Sequence, residues 1–389
     1  MSSRRLKVLY FCEGFTDIRF VVGLAQACDL TLATPAWEFR SSGLADRLRH
    51  SGASVKVDEI HGKRPAFQMN SLWYLLRHIR AFDVVLSQGM SRGSLNSTIV
   101  GRLTGVPVVT YESVAAVEYW RCRRERGQIS ALKALAGEVF LRTSMIVSGR
   151  LAKAAVGLGP YLTNLVRRYS TRPVTGYYYG VDTTLFKPVD AARRVELRRL
   201  HGLPIDRFLV LFASRVSHEK DPETVLLATA KAREQGLNAV LLNLGGGFES
   251  FLALAERLGL ANAAEWVIGR PAVHPMKDLC EYFQAVDVVV QSSLAEGLGI
   301  SPLEALACGT PVVATNVGGL AAQLNGFAQL TPRRDARAMA DAILWVANNR
   351  DAAKAQAEKG RTFVEHTWRR ERAFGELMKV LEEVSDRPS

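Results

Sequence analysis

Two carboxylates bracket a short glycine-bearing loop in Ala295-Glu296-Gly297-Leu298-Gly299-Ile300-Ser301-Pro302-Leu303-Glu304. Glycines let a ligand approach the backbone N–H groups closely, and a helix start behind them adds partial positive charge, which suits a phosphate. Carboxylates beside such a loop suit the hydroxyls of a ribose or a hexose, which donate hydrogen bonds. Ser301 and Glu304 have the spacing of a capping box, with Pro302 at the first helical position. Gly309 and Pro311 then end a short helix. The spacing leaves two readings for each acid. Glu304 is a helix cap or a hydroxyl acceptor; Glu296 is a solvated loop residue or a ligand contact.

A second constellation is Ala213-Ser214-Arg215-Val216-Ser217-His218-Glu219-Lys220-Asp221-Pro222. Arg215 and Lys220 share one loop after an apolar strand, a placement that neutralises a diphosphate leaving group. The alternative for both is an ion pair with Glu219 or Asp221. A third element, Leu244-Gly245-Gly246-Gly247, is a glycine-rich turn after another strand and is a weak signal taken alone.

These loops need a scaffold. Leu6–Phe11, Asp29–Ala33, Asp83–Ser87 and Pro107–Tyr111 read as short buried strands, with helices around Phe20–Ala27 and Ser94–Leu103. The pattern restarts with strands Phe208–Ala213, Ala239–Leu244, Glu265–Ile268, Val286–Gln291 and Pro311–Thr315. Helices from Pro222 (with Asp221 as N-cap), Glu249–Leu258, Lys277–Gln284 and Pro302–Cys308 alternate with them. The last segments, Ala336–Asn348 and Arg369–Val384, read as charged helices. Strand, helix, strand at this spacing predicts parallel crossover units in two α/β halves joined near Gly180–Asp190. Ligands of such sheets bind beyond the carboxyl ends of the strands, so the expected site is a cleft between the halves.

Composition narrows the classes. The chain has 389 residues, 48% hydrophobic and 23% charged, a globular balance with length for two cores. No apolar run is long enough for a membrane span. The start, Met1 to Lys7, leads into a strand rather than a signal peptide. Five cysteines (Cys12, Cys28, Cys122, Cys280 and Cys308) include no pair at metal-ligand spacing; small buried thiols in a reducing, cytoplasmic compartment are expected, with no metal site. Net charge is +12, and residues 1–190 hold all of it, with 26 Lys+Arg against 14 Asp+Glu. The remainder holds 24 of each. A basic half of this kind faces anionic lipid, a phosphorylated acceptor or nucleic acid, or is simply a solvated surface, as in Arg121-Cys122-Arg123-Arg124.

From about residue 176 onward the sequence resembles the retaining glycosyltransferases of family 4, which have the GT-B fold of two Rossmann-like parallel-sheet domains facing an interdomain cleft. Glu296 to Glu304 is similar to that family's Glu, seven residues, Glu motif. Arg215 and Lys220 match its Arg and Lys pair. Gly180-Val181-Asp182 and Phe186-Lys187-Pro188 resemble its interdomain segment. The resemblance implies a retaining, metal-independent transferase that moves a sugar from a nucleotide-diphosphate sugar, its donor substrate and not a cofactor, to a glycan or lipid-linked acceptor. Residues 1–185 would form an acceptor-binding domain and 186–368 the donor-binding domain. Residues 369–389 would form a helix returning to the first. Arg215 and Lys220 would hold the diphosphate, Glu296 and the backbone of Gly297, Leu298, Gly299, Ile300 and Ser301 the sugar, and Glu304 the ribose. Gly245, Gly246 and Ile268 would lie near nucleotide and base.

The first half departs from the family. Its Gly-Gly loop is Cys12-Glu13-Gly14-Phe15 here, with only Gly14 available to the donor phosphates. The family's His is replaced by Glu112, a candidate acceptor-side carboxylate or a loop residue paired with a nearby arginine. Tyr179 stands where an Asn precedes Gly-Val-Asp. An epimerase or a catalytically degenerate subunit shares the architecture and is the alternative. A phosphorylase lacks its expected lysine context, a dehydrogenase its Gly-x-Gly-x-x-Gly, and a nucleic-acid binder any recognisable motif. The basic half leads us to expect peripheral association with an anionic cytosolic membrane face and no nucleic-acid partner.

Overall fold

The computed structural model describes residues 5–14, 16–63, 65–90, 92–273 and 276–385. Met1–Arg4, Phe15 and the last four residues, named above, lie outside them.

The chain divides into two compact units, residues 1–180 with 370–389, and residues 181–369. The first unit runs β1 (Lys7–Phe11), α1 (Ile18–Ala27), β2 (Asp29–Pro35), α2 (Ala36–Ser41), α3 (Leu44–Ser51), β3 (Lys56–Ile60), α4 (Pro65–His78) and β4 (Val84–Gln88). It continues through α5 (Arg92–Thr104), β5 (Val108–Glu112), α6 (Ala116–Glu125), α7 (Ala131–Leu151), β6 (Ala154–Leu158), α8 (Gly159–Val166) and β7 (Pro173–Gly176). Its seven strands form one parallel sheet in the order β3-β2-β1-β4-β5-β6-β7.

The second unit holds α9 (Ala191–Leu200), β8 (Phe208–Phe212), α10 (Pro222–Glu234), β9 (Ala239–Leu244), α11 (Glu249–Arg257), β10 (Val267–Arg270), α12 (Met276–Ala285) and β11 (Val288–Gln291). Then come α13 (Ile300–Ala307), β12 (Val312–Thr315), α14 (Gly318–Leu324), β13 (Gln329–Thr331), α15 (Ala336–Asn348) and α16 (Arg350–Thr367). Its sheet is also parallel, in the order β10-β9-β8-β11-β12-β13. Helix α17 (Arg370–Ser385) belongs to the first unit, where Phe374 packs on Gly23 of α1 so closely that a methyl there would lie 2.0 Å from its ring.

Two parallel-sheet α/β units are what the alternating pattern predicts. Parallel strands are covered on both faces and therefore read as unbroken apolar runs. Every residue of β5, β6, β8 and β9 is buried. The second core gathers Phe212, Phe251, Trp266, Val288 and Ile343 between the sheet and helices α10, α11 and α15, and each such side chain contributes about 1.5–3 kcal/mol. All five cysteines are free and buried, and burial pushes the Cys12 thiol up to about 12. Among the described residues, no helix is long and apolar enough to cross a membrane.

Helix α16 is absent from the sequence reading. Its inward residues are Ala353, Ala357, Gly360 and Val364, so almost no bulky apolar residue marks its period. The small face is a packing requirement: a methyl on Gly360 would lie 2.8 Å from Leu306 of α13.

Two capping expectations are corrected. Gly299 occupies the N-cap of α13, in a left-handed conformation with φ of 78°, and no side chain caps that end. Ser301 is already helical, so it forms no capping box with Glu304. Pro302 is the third helical residue, tolerated because N–H groups of the first turn have no intrahelical partner. At the other end Gly309 (φ 70°) donates to Leu306 O at 2.9 Å and Thr310 to Ala305 O at 3.0 Å, a Schellman closure. Asp221 sits at the N-cap of α10 with a left-handed φ of 48°. Its carboxylate accepts from Thr224 Oγ1 at 2.6 Å and makes no cap bond to a backbone N–H.

Candidate functional site

In an open parallel sheet, the crossovers reverse direction at one point, and the loops on either side separate into a crevice at the strands' carboxyl ends. In the second unit that point lies between β8 and β11. The loop after β8 carries Arg215 and Lys220; the loop after β11 carries Glu296.

Lys220 and Glu296 meet there as a largely buried ion pair, Nζ on Oε2. Ser293 Oγ donates to the same Glu296 oxygen at 3.2 Å. The two loops are tied beneath the pair. Ser292 Oγ donates to the carbonyls of Lys220 (2.8 Å) and Asp221 (2.9 Å), and Leu294 N donates to Glu219 O at 2.8 Å. Asp221 is 1% exposed in its left-handed turn, a conformation that costs an L residue on the order of 1 kcal/mol and persists where surroundings impose it. That reversal aims Lys220 back across the sheet end. Ser292 and Asp221 thus position the pair. Sequence reasoning missed the first and read the second as an ordinary cap, because their partners lie on distant loops.

Arg215 takes a different environment. Its side chain is 71% exposed and pairs with Glu219 at 3.1 Å, the ion pair named above as the alternative. Its stem lies along the glycine turn, 3.6 Å from where a Gly246 Cβ would sit. Gly245 is required by space, since a Cβ there would fall 2.4 Å from Ser214 O. Val216 N donates to Gly246 O at 2.8 Å and Gly245 N to Arg270 O at 3.0 Å, joining the ends of β8, β9 and β10. Ile268, the second residue of β10, is half-buried and pairs in register with Leu242 of β9.

The loop Gly297–Gly299 leans on the start of α14. Gly319 N donates to Glu296 O at 2.8 Å, and a Cβ on Gly319 would lie 2.1 Å from Gly297 O. Gln323 Nε2 holds Leu298 O at 3.0 Å. Ile300 and Ser301 form the first turn of α13, half-buried, whereas Glu304 one turn on is 1% exposed. Within this unit the structure therefore assembles Arg215, Lys220, Gly245, Gly246, Glu296 and the Gly297–Ser301 backbone around the ends of β8, β9 and β11. The arrangement offers two cations, a carboxylate and a glycine-opened helix start to an anionic, hydroxyl-bearing ligand.

Glu112 and Gly14 belong to the first unit, at the ends of β5 and β1. Glu112 is 3% exposed, and its two oxygens accept from Met90 N at 2.9 Å and Val114 N at 3.3 Å. It is the last residue of a buried strand and pairs with backbone, not with an arginine. Burial outweighs the two backbone donors and pushes its carboxyl from the usual 4.5 up to about 7. Gly14 accepts from Cys12 Sγ at 2.8 Å through its carbonyl, and a Cβ there would meet nothing within 4 Å. At the reversal point of this sheet, between β1 and β4, Glu13 accepts from Gln68 Nε2 (2.8 Å) and Arg92 Nε (3.0 Å) and lies over Gly93. That polar cluster carries no sequence motif and was not anticipated. Tyr179 stacks under the Arg19 guanidinium, 4.0 Å from its ring centre.

A family model described as glycosyl transferases group 1 matches residues 194–363. The D-inositol 3-phosphate glycosyltransferase of Acidothermus cellulolyticus is 40% identical over 152 residues, 36% of this chain and 32% of its own. The D-inositol 3-phosphate glycosyltransferase 1 of Catenulispora acidiphila is 32% identical over 260 residues, 63% of this chain and 59% of its own. The chain thus spans about a third to three fifths of these relatives' length. Among solved structures, Anabaena HepE in complex with UDP-glucose matches with a TM-score of 0.76 at 16% identity, covering 97% of this chain and 100% of that one. WaaG, a glycosyltransferase involved in lipopolysaccharide biosynthesis, matches at 0.69 and 15% identity, covering 98% and 100%. At these identities the structures establish the fold, the paired parallel-sheet units of GT-B glycosyltransferases. The match to glycosyl transferases group 1 lies within the second unit, and the chain is similar to that family there.

Proposed function

We propose that this chain is a glycosyltransferase that moves a sugar from a nucleotide-diphosphate sugar onto an acceptor hydroxyl, with retention of anomeric configuration. The observation that carries the reading is the Lys220–Glu296 pair at the reversal point of the second sheet. A cation there stabilises the charge that develops on the departing diphosphate, where a preorganised donor is worth about 2.7–4 kcal/mol. Arg215 supplies the second charge by leaving an exposed ion pair worth little. With the two together, the reading assigns no metal to the diphosphate. Glu296 and the Gly297–Ser301 backbone contact the sugar, Glu304 the ribose hydroxyls, and Gly245, Gly246 and Ile268 the nucleotide. We assign acceptor recognition to the first unit, with Glu112 orienting the hydroxyl. The UDP-glucose bound by HepE makes UDP-sugars the first donors to test.

The acceptor class is a glycan or a lipid-linked sugar. A phosphorylated polyol is the second reading, favoured by the +12 excess of residues 1–190 and by the names of the curated relatives. Thermal stabilisation against UDP-, GDP-, ADP- and dTDP-sugars, each with EDTA present, tests the donor site. One nucleotide at about 100 times its Kd should stabilise by about 2.7 kcal/mol. Lys220→Ala and Glu304→Ala should abolish the shift. No shift with any nucleotide overturns the reading in favour of a degenerate subunit.

A further inference from the structure

Helix α7 is built inside out. Its buried residues are Ala134, Ser144, Met145, Ser148 and Gly149, small or polar apart from one methionine. Several bulky apolar residues face outward: Leu132 is 78% exposed and Leu135 62%, with Val139 and Ile146 on the same line, while Leu141 packs on the core. These positions recur at helical spacing and form one stripe. The neighbouring helices repeat the pattern. Helix α5 turns Gly93, Ser94, Ser97 and Gly101 inward, Ser94 Oγ meeting Ser148 Oγ of α7 at 3.1 Å, and leaves Leu103 73% exposed. Helix α4 exposes Met69, Trp73 and Leu76, again one stripe.

The three helices are neighbours. Helix α5 packs against both α4 and α7. All three follow crossovers that step the same way along the sheet, and right-handed crossovers place such helices on one face. An apolar face of this extent on a water-facing surface marks an interaction site. Its charge identifies the partner. Helices α4, α5 and α7 carry six Lys or Arg (Arg77, Arg92, Arg102, Lys133, Arg142, Arg150) and one acid, Glu138. Glu138 is already held by Arg121 and Arg142. A second copy of the chain on this face would oppose arginine to arginine. An anionic lipid surface instead meets the basic residues with phosphate and the stripes with acyl chains, and Trp73, with Arg77 over its ring at 5.9 Å, suits the interfacial layer.

We infer that the α4–α5–α7 face of the first unit is a docking surface for an anionic lipid bilayer, with Leu132, Leu135, Val139 and Ile146 entering the interface and the surrounding arginines on the headgroups. Glycosyl transfer is not required for this, so the test uses neither donor nor acceptor.

The full chain is floated with vesicles of phosphatidylcholine mixed with phosphatidylglycerol, and with phosphatidylcholine alone, at low and high salt. It should float with the mixed vesicles and far less with the neutral ones, and salt should weaken the binding. Leu135→Ser/Val139→Ser/Ile146→Ser should lower the partition more than about tenfold. Arg102→Glu/Lys133→Glu/Arg150→Glu should do the same, since each basic residue contributes about fivefold. All these positions are surface ones, and both variants should keep the wild-type thermal midpoint. Three results overturn the inference: a wild-type chain that stays in solution with the anionic vesicles, variants that partition as wild type, or sedimentation showing a dimer that the serine variant converts to monomer.

Discussion

Lys220 and Glu296, 76 residues apart in the chain, form a largely buried ion pair at the carboxyl end of the second sheet, with Ser293 on the same carboxylate oxygen. Removing one partner leaves the other charge with a hydroxyl at most. Lys220→Met and Glu296→Gln should each cost about 2 kcal/mol in urea unfolding. The double variant should cost about 1–3 kcal/mol less than the sum of the two singles. Activity should not follow stability: kcat/KM should fall more than about 100-fold in both single variants and in the double one. Singles that unfold as wild type would show that the pair is not formed in solution.

Arg215 separates the same quantities the other way. Its pair with Glu219 is exposed, so Arg215→Ala should change stability by less than about 0.5 kcal/mol. Its loss should still weaken binding of the nucleotide-diphosphate sugar about tenfold. Calorimetric titration of wild type and variant with the donor checks both halves.

Gly319 and Gly14 should respond oppositely to an added methyl. Gly319→Ala drives a methyl to 2.1 Å from Gly297 O and displaces the loop carrying Glu296, at about 1–3 kcal/mol. Gly14→Ala meets nothing within 4 Å and should stay within about 0.5 kcal/mol of wild type. Urea midpoints at unchanged m-value distinguish them.

Glu112 should leave a signature in the pH dependence of stability. Its folded pKa, about 7, lies above the usual 4.5, so folding takes up a proton between those values. Its contribution is therefore fully present below about 4.5 and is lost as pH rises through about 7, roughly 3 kcal/mol in all. Glu112→Gln has no such proton to lose. The difference between wild-type and variant unfolding free energies should change across this window and be flat above it. A difference that does not vary with pH would show that the group titrates normally.

Much of the fold was legible because its signals are local. A buried parallel strand needs a largely apolar run, which β8 has throughout and β9 and β12 have apart from Asn243 and Thr315. Gly309 stops α13 through its own backbone freedom, and Ala336–Asn348 has an apolar helical period over its whole length. Residue types and spacing put Arg215, Lys220, Glu296 and Glu304 forward as candidates with a structural alternative for each, and the resemblance supplied their expected roles. Their arrangement was decided elsewhere. That Lys220 faces Glu296 while Arg215 faces Glu219 depends on the left-handed turn at Asp221 and the Ser292 bridges between distant loops. That Gly299, not Ser301, begins α13 depends on how the loop leans on Gly319. The burial that raises Glu112 comes from strands and helices remote in the chain. Periodicity failed at α16, whose inner face is small, and missed α7, whose bulky residues face outward, because a pattern marks which side of a helix is apolar but not which side the tertiary structure buries.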